Sequence, residues 1–130
     1  MRLNTGIITQ KLGETRDFFI QNFGFHEKFA SDWFVLLCTP ENQDNELAIM
    51  LENQPQVRLA GFQQPYEGRG VWLILETADV EAEFQRLSSK NVSVALPLTE
   101  EALGDYHSVL NGPSGLLIDI VQQREVNNAP

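Results

Sequence analysis

A chain of 130 residues suits one domain and is long enough to bury a sizeable core. Its composition, 42% hydrophobic and 21% charged, is that of a globular protein, and no apolar run approaches the roughly 20 residues of a membrane helix. The net charge of −9, with nine Lys and Arg scattered singly, excludes a phosphate-backbone partner, so neither nucleic acid nor membrane is expected.

The first residues, Met1 to Gly6, lack the apolar stretch and cleavage site of a signal peptide. The single cysteine, Cys38, has no second thiol to pair with and lies in the apolar run Phe34-Val35-Leu36-Leu37-Cys38, which predicts a buried thiol in a reducing cytoplasm. Acidity favours solubility, and it also raises the local concentration of cations.

In chain order, residues 3–9 read as a strand with Gly6 inside it. A helix follows, with Leu12, Thr15, Phe18, Phe19 and Phe23 at helical spacing and Gly24 as its stop. Strands are predicted over residues 25–31, 32–38 and 46–51, with a turn around Ser31-Asp32 and a polar turn cluster at residues 39–45. Residues 53–69 change character, carrying Pro55, Gly61, Pro65 and Gly68, and read as a linker with a short helical turn near residues 57–62. The programme then restarts. An apolar strand is predicted over residues 70–75, and Thr77-Ala78-Asp79 caps a helix whose apolar stripe is Val80, Phe84 and Leu87 and which ends near Lys90-Asn91. Strands over residues 92–96, 106–110 and 116–121 follow, and residues 122–130 form a polar, frayed tail.

Setting Leu12 against Val80 also sets Phe19 against Leu87, a shared offset of 68 residues. An offset held across a supersecondary unit marks an internal duplication. Three short strands after each helix favour antiparallel meanders over a single parallel sheet. The expected fold is α+β: one domain over 1–130, made of a first βαβββ half (1–52), a linker (53–69), a second βαβββ half (70–121) and the tail (122–130).

Two stretches carry a resemblance. The first runs from Asn4-Thr5-Gly6-Ile7-Ile8 through Phe18-Phe19 to Phe23-Gly24-Phe25, and the second is Asn111-Gly112-Pro113-Ser114-Gly115 before the last strand. With Thr77-Ala78-Asp79-Val80, they resemble the vicinal-oxygen-chelate superfamily of glyoxalases, bleomycin-resistance proteins and dioxygenases. The resemblance implies curled mixed sheets, two halves facing each other around a cavity, and a homodimer. In metal-dependent members, ligands come from the first and last strand of each half. By position those places fall on Asn4, Gly70 and Asp119, with the fourth near Leu51 or Glu52. Glycine has no ligating side chain and an amide oxygen is a poor ligand for zinc or nickel, so no metal and no cofactor are expected. If a metal is present, Glu52 and Asp119 are the residues left to hold it.

Other catalytic constellations are missing from the sequence: no nucleophile elbow, phosphate-cradling loop or His-Glu-x-x-His helix. Strand parity turns to pocket walls. Asn4, Gly6 and Ile8 share one face, as do Gly70, Trp72 and Ile74, and Leu117, Asp119 and Val121. Trp33 is expected on the third strand. Trp72 is expected opposite Asp119, on facing strands, as a stacking platform and an anchor for a flat or cationic compound. The expected ligand-binding set is therefore Asn4, Gly6, Ile8, Trp33, Gly70, Trp72, Leu117 and Asp119, in a small-molecule binding or sequestration protein with no catalytic residues. Two rival readings stand beside it: a metal-dependent lyase, isomerase or dioxygenase with an atypical ligand set, and a non-catalytic module kept for its dimer interface.

Overall fold

The computed structural model describes residues 1–124, so most of the expected polar tail, residues 125–130, lies outside the described residues. The chain divides into two compact units, Met1–Glu67 and one that begins at Gly68.

In the first unit, β1 (Thr5–Thr9) leads through α1 (Leu12–Phe23) into β2 (His26–Ala30), β3 (Phe34–Cys38) and β4 (Glu46–Leu51). The sheet order is β1-β4-β3-β2, with β1 and β4 parallel and the other two pairs antiparallel. Alternation assigns the two faces. Ile7 and Thr9 of β1, Val35 and Leu37 of β3, and Leu47 and Ile49 of β4 are buried. α1 packs on β3 and β4, and its Phe19 is fully buried. Phe19 anchors an aromatic cluster with Phe18, Phe23 and Phe25, at ring separations of 5.4, 6.0 and 5.3 Å. Burying such a side chain stabilises by about 1.5–3 kcal/mol before the ring contacts are counted. Gly24 ends the helix at φ 69° and donates its backbone N–H to the Ile20 carbonyl, a left-handed cap that a side chain disfavours. Cys38 is buried and unpaired, as its apolar neighbours predict.

The second unit repeats the order. β5 (Leu73–Glu76), α2 (Val80–Ser89), β6 (Val94–Glu100), β7 (Asp105–Asn111) and β8 (Leu117–Gln123) form a sheet of order β5-β8-β7-β6, again with the first pair parallel. Asp79 caps α2 by accepting a hydrogen bond from the Ala82 N–H at 3.1 Å, the role its sequence position predicts. Val80 and Leu87 of α2 are fully buried, and the helix packs on β6, β7 and β8, whose Ser108, Leu110, Ile118 and Ile120 are buried. The protein is thus α+β, with two open four-stranded mixed sheets, each carrying one helix.

Several boundaries depart from expectation: β6 runs to Glu100 where residues 92–96 were expected, and three others bear on the site. β5 starts at Leu73, not at Gly70, because Gly70 takes φ 86° and breaks the extended chain ahead of Trp72. Trp33 precedes β3 and sits in the β2–β3 turn, where the Ser31 hydroxyl accepts from the Phe34 N–H and the Trp33 carbonyl accepts from the Leu51 N–H. β8 continues through Gln123, and the Gln122 side chain accepts from the Val80 N–H at 3.0 Å, so the start of the expected tail is strand. Among the described residues no helix is long and apolar enough to cross a membrane.

Candidate functional site

Each sheet has a face turned away from its own helix, and the two faces differ in chemistry. In the first unit, register aligns Gly6 with Ala48 and Ile8 with Met50, while Leu36 pairs with Ala48 and Phe34 with Met50. Phe29, opposite Leu36, places its ring 6.2 Å from that of Phe34, and Trp33 lies 5.9 Å from Phe34. This face is apolar from Ala48 and Leu36 to Met50 and Phe34 and carries Glu46 at the start of β4, and a Cβ added to Gly6 would meet nothing within 4 Å. At the start of β1, Asn4 is exposed and donates its side-chain amide to Glu46. Glu46 is also paired with Lys28 at 2.6 Å, and its side chain is 8% exposed. The hydrogen bond from Lys28 holds the Glu46 carboxyl below the usual carboxylate range against the opposing effect of burial.

In the second unit the corresponding face carries charge. β5 runs beside β8 with Ile74 opposite Asp119, and β7 runs on the other side with Val109 opposite Asp119 and His107 opposite Val121. Asp119 and His107 therefore share a face, diagonally placed across β7 and β8. The Asp119 Oδ1 lies 2.7 Å from His107 Nδ1, and His107 Nε2 lies 3.1 Å from Oε1 of Glu101, which comes from the β6–β7 turn. Ionised carboxylates only accept hydrogen bonds, so both contacts are hydrogen bonds when the imidazole carries a proton on each nitrogen. Burial by itself draws the His107 pKa down; the bonds to Asp119 and Glu101 and their charges outweigh it and leave the pKa above its ordinary value. The side chains of His107 and Asp119 are each 14% exposed. The second Asp119 oxygen, Oδ2, has no hydrogen-bond partner among the described residues. Since no buried side-chain polar atom there lacks a partner, Oδ2 meets solvent.

The expected ligand-binding residues distribute as follows. Gly6 and Ile8 lie on the open face of the first sheet, and Asn4 lies at its edge, engaged with Glu46. Trp33 adjoins that face from a turn instead of a strand. Leu117 and Asp119 lie on the open face of the second sheet. Trp72 is the residue before β5 and is 52% exposed, and Ile74 on that strand is 55% exposed. Trp72 thus precedes a strand that pairs directly with that of Asp119 in the same sheet, and is not on a facing strand. Gly70, exposed and two residues further back, belongs to the left-handed bend before the strand.

Register also corrects the inter-half correspondence. Gly6 faces Ala48 in β1 and β4, as Ile74, 68 residues later, faces Asp119 in β5 and β8. The first-unit match of Asp119 is therefore Ala48, not Leu51 or Glu52, and the match of Asn4 is Trp72, not Gly70. The offset holds at 68 from His26 to Val94, where β2 and β6 begin, and reaches 71 at Ala48 and Asp119. β6 and β7 have seven residues each where β2 and β3 have five. Glu52 follows β4 and donates its backbone N–H to the Thr9 carbonyl.

These residues do not fit a metal. Of the four corresponding positions, Ala48 and Trp72 offer no ligating atom, Asn4 is tied to Glu46, and Asp119 shares one oxygen with an imidazole whose nitrogens both face carboxylates. Among the described residues no group of three or more His, Cys, Asp or Glu is arranged to hold a metal ion. The Glu101–His107–Asp119 line escapes a motif search because it is made by register. Its sequence signal is parity: Asp119 interrupts an apolar strand, and His107 lies on the same face of the preceding hairpin strand.

Among curated proteins none matches the sequence. Solved structures do match. A glyoxalase/bleomycin resistance protein/dioxygenase from Nocardioides superposes with TM-score 0.77 at 17% identity, covering 100% of this chain and 87% of its own. A superfamily member from Sphaerobacter thermophilus gives 0.74 at 20% identity, with coverages of 95% and 97%. TioX from Micromonospora sp. ML1 gives 0.73 at 15% identity, with coverages of 95% and 98%. At these identities the likeness is one of fold. The family model matches residues 3–120, nearly the whole described chain, and the protein belongs to the Glyoxalase/Bleomycin resistance protein/Dioxygenase superfamily.

Proposed function

We propose that the protein binds and sequesters a flat organic cation at Asp119, on the open face of its second sheet, without a metal and without catalysis. The observation that carries this reading is Asp119 itself, a carboxylate in an apolar strand that presents one oxygen to solvent beside the exposed Ile74. Trp72, exposed just ahead of β5, supplies an aromatic surface on the same edge of the sheet. Stacking a cation on Trp is worth about 0.5–2 kcal/mol, and a charge-assisted hydrogen bond to Asp119 adds about 1.5–3 kcal/mol. The net charge of −9 favours approach of a cation. The family's metal positions, filled here by Ala48, Trp72 and the tethered Asn4, support binding over metal chemistry. A homodimer in the cytoplasm belongs to the same reading; it draws on β1 and β5 being edge strands, which invite pairing between copies.

The test is a fluorescence titration with the permanently charged N-methylacridinium, in a Trp33→Phe background so that Trp72 alone reports. Saturable quenching, weakened several-fold in Asp119→Asn, is the expected result. Unchanged affinity in Asp119→Asn removes the anchor from the proposal.

A further inference from the structure

The polar side chains on the second sheet's open face form a closed line. Glu101, His107 and Asp119 are joined by contacts of 3.1 and 2.7 Å, and each carboxylate keeps one oxygen outside the line, Oδ2 on Asp119 and Oε2 on the more exposed Glu101. Resting on the binding reading above, we propose that His107 is a proton gate on this site: its imidazolium neutralises Asp119 and holds cations off, and its deprotonation releases Asp119 to bind them.

The neighbourhood isolates this effect. His107 lies opposite Thr99 of β6 and Val121 of β8, both uncharged. From the β6–β7 turn comes Glu101 and from β8 comes Asp119. β5 contributes Glu76, exposed and opposite Val121. On β7 itself, Asp105 is exposed two residues earlier, and Arg124, after β8, is engaged with Glu100 and the Tyr106 ring. His107 therefore contacts two carboxylates, and the cationic Arg124 is engaged elsewhere. With the proton in place, the line carries two negative charges and one positive. Without it, both carboxylates stand unneutralised and a ligand's cation can take the proton's part. One neutral imidazole N–H can still donate to Asp119 Oδ1, so the carboxylate keeps its orientation while Oδ2 gains in negative field.

Linkage fixes the direction. A cation and the His107 proton compete, so cation affinity rises with pH through the His107 titration, and bound cation lowers the His107 pKa by the reciprocal factor. No covalent step is involved.

The experiment measures N-methylacridinium affinity by calorimetry at about pH 5.5 and about pH 8.5, on either side of the histidine range. The probe's charge does not titrate, so the protein supplies any pH dependence. The gate predicts binding at least ~5-fold tighter at the higher pH, and a ratio close to unity in His107→Gln. A second readout is independent of that variant's folding: imidazole NMR of the wild-type chain, whose two histidines are assigned with His26→Gln, should show the His107 pKa falling on saturation. Saturable binding with equal affinity at both pH values and an unmoved His107 pKa overturns the gate and leaves the binding reading standing. Absence of binding at either pH defeats the binding reading, and the gate with it.

Discussion

At His107 two opposed effects meet, and their balance has a measurable consequence. The folded-state pKa lies above the ordinary histidine value of about 6.5, so protonation favours the folded state. The stabilisation is fully present below the unfolded value and is lost as pH rises through the raised folded value. Denaturant midpoints for the wild type should therefore fall across that window relative to His107→Gln, which has no such proton to lose. Parallel profiles for the two proteins would contradict it. Gly6 makes a different prediction. Its missing Cβ faces open space on the apolar face of the first sheet, so Gly6→Ala should fold without strain and gain about 0.4–1 kcal/mol from reduced unfolded-chain entropy. A loss of stability, read by urea denaturation, would mean that the space is filled.

Among the elements, the helices carry the clearest sequence signals because their end groups are local. Gly24 and Asp79 cap α1 and α2 as their positions announce, and Phe19 and Leu87 fill the buried faces that the helical spacing assigns. Asp79→Ala should cost about 1 kcal/mol by leaving the Ala82 N–H without its acceptor, whereas Phe19→Ala should cost about 3–5 kcal/mol through the cavity under its aromatic neighbours. Thermal melts that rank the two substitutions the other way would refute this account of the packing. Strand limits were less legible. The run Gly70-Val71-Trp72 reads as strand by hydrophobicity, yet the positive φ of Gly70 delays β5 to Leu73. The site was legible only in part for a related reason. Asp119 stands out in its strand, but its pairing with His107 and Glu101 depends on the β6–β7–β8 register and on the longer β6–β7 hairpin. A constant 68-residue offset carries no trace of that lengthening, which is why it pointed to Leu51 or Glu52 where the strand pairing selects Ala48.

For the whole molecule, the duplicated strand orders β1-β4-β3-β2 and β5-β8-β7-β6 show one supersecondary unit used twice with different side chains on its open face. The first copy presents Ile8, Phe34, Leu36 and Met50, and the second presents Asp119 and His107 among Leu117, Val109 and Val121. The first face keeps its charge at Glu46, paired with Lys28 where β4 begins, whereas the second sets Asp119 and His107 within its strands. Sedimentation equilibrium at micromolar concentration should give the mass of two chains, and a monomer would remove the dimer from the proposal. Asp119 should bind an organic cation directly, with no metal between them. The most direct measurement is calorimetric titration of N-methylacridinium into protein exhaustively treated with a chelator, near pH 8.5, for the wild type and Asp119→Asn. Chelation should leave wild-type affinity unchanged, and Asp119→Asn should weaken it about tenfold, roughly 1.4 kcal/mol. Binding that disappears on chelation and returns with a divalent metal would contradict it.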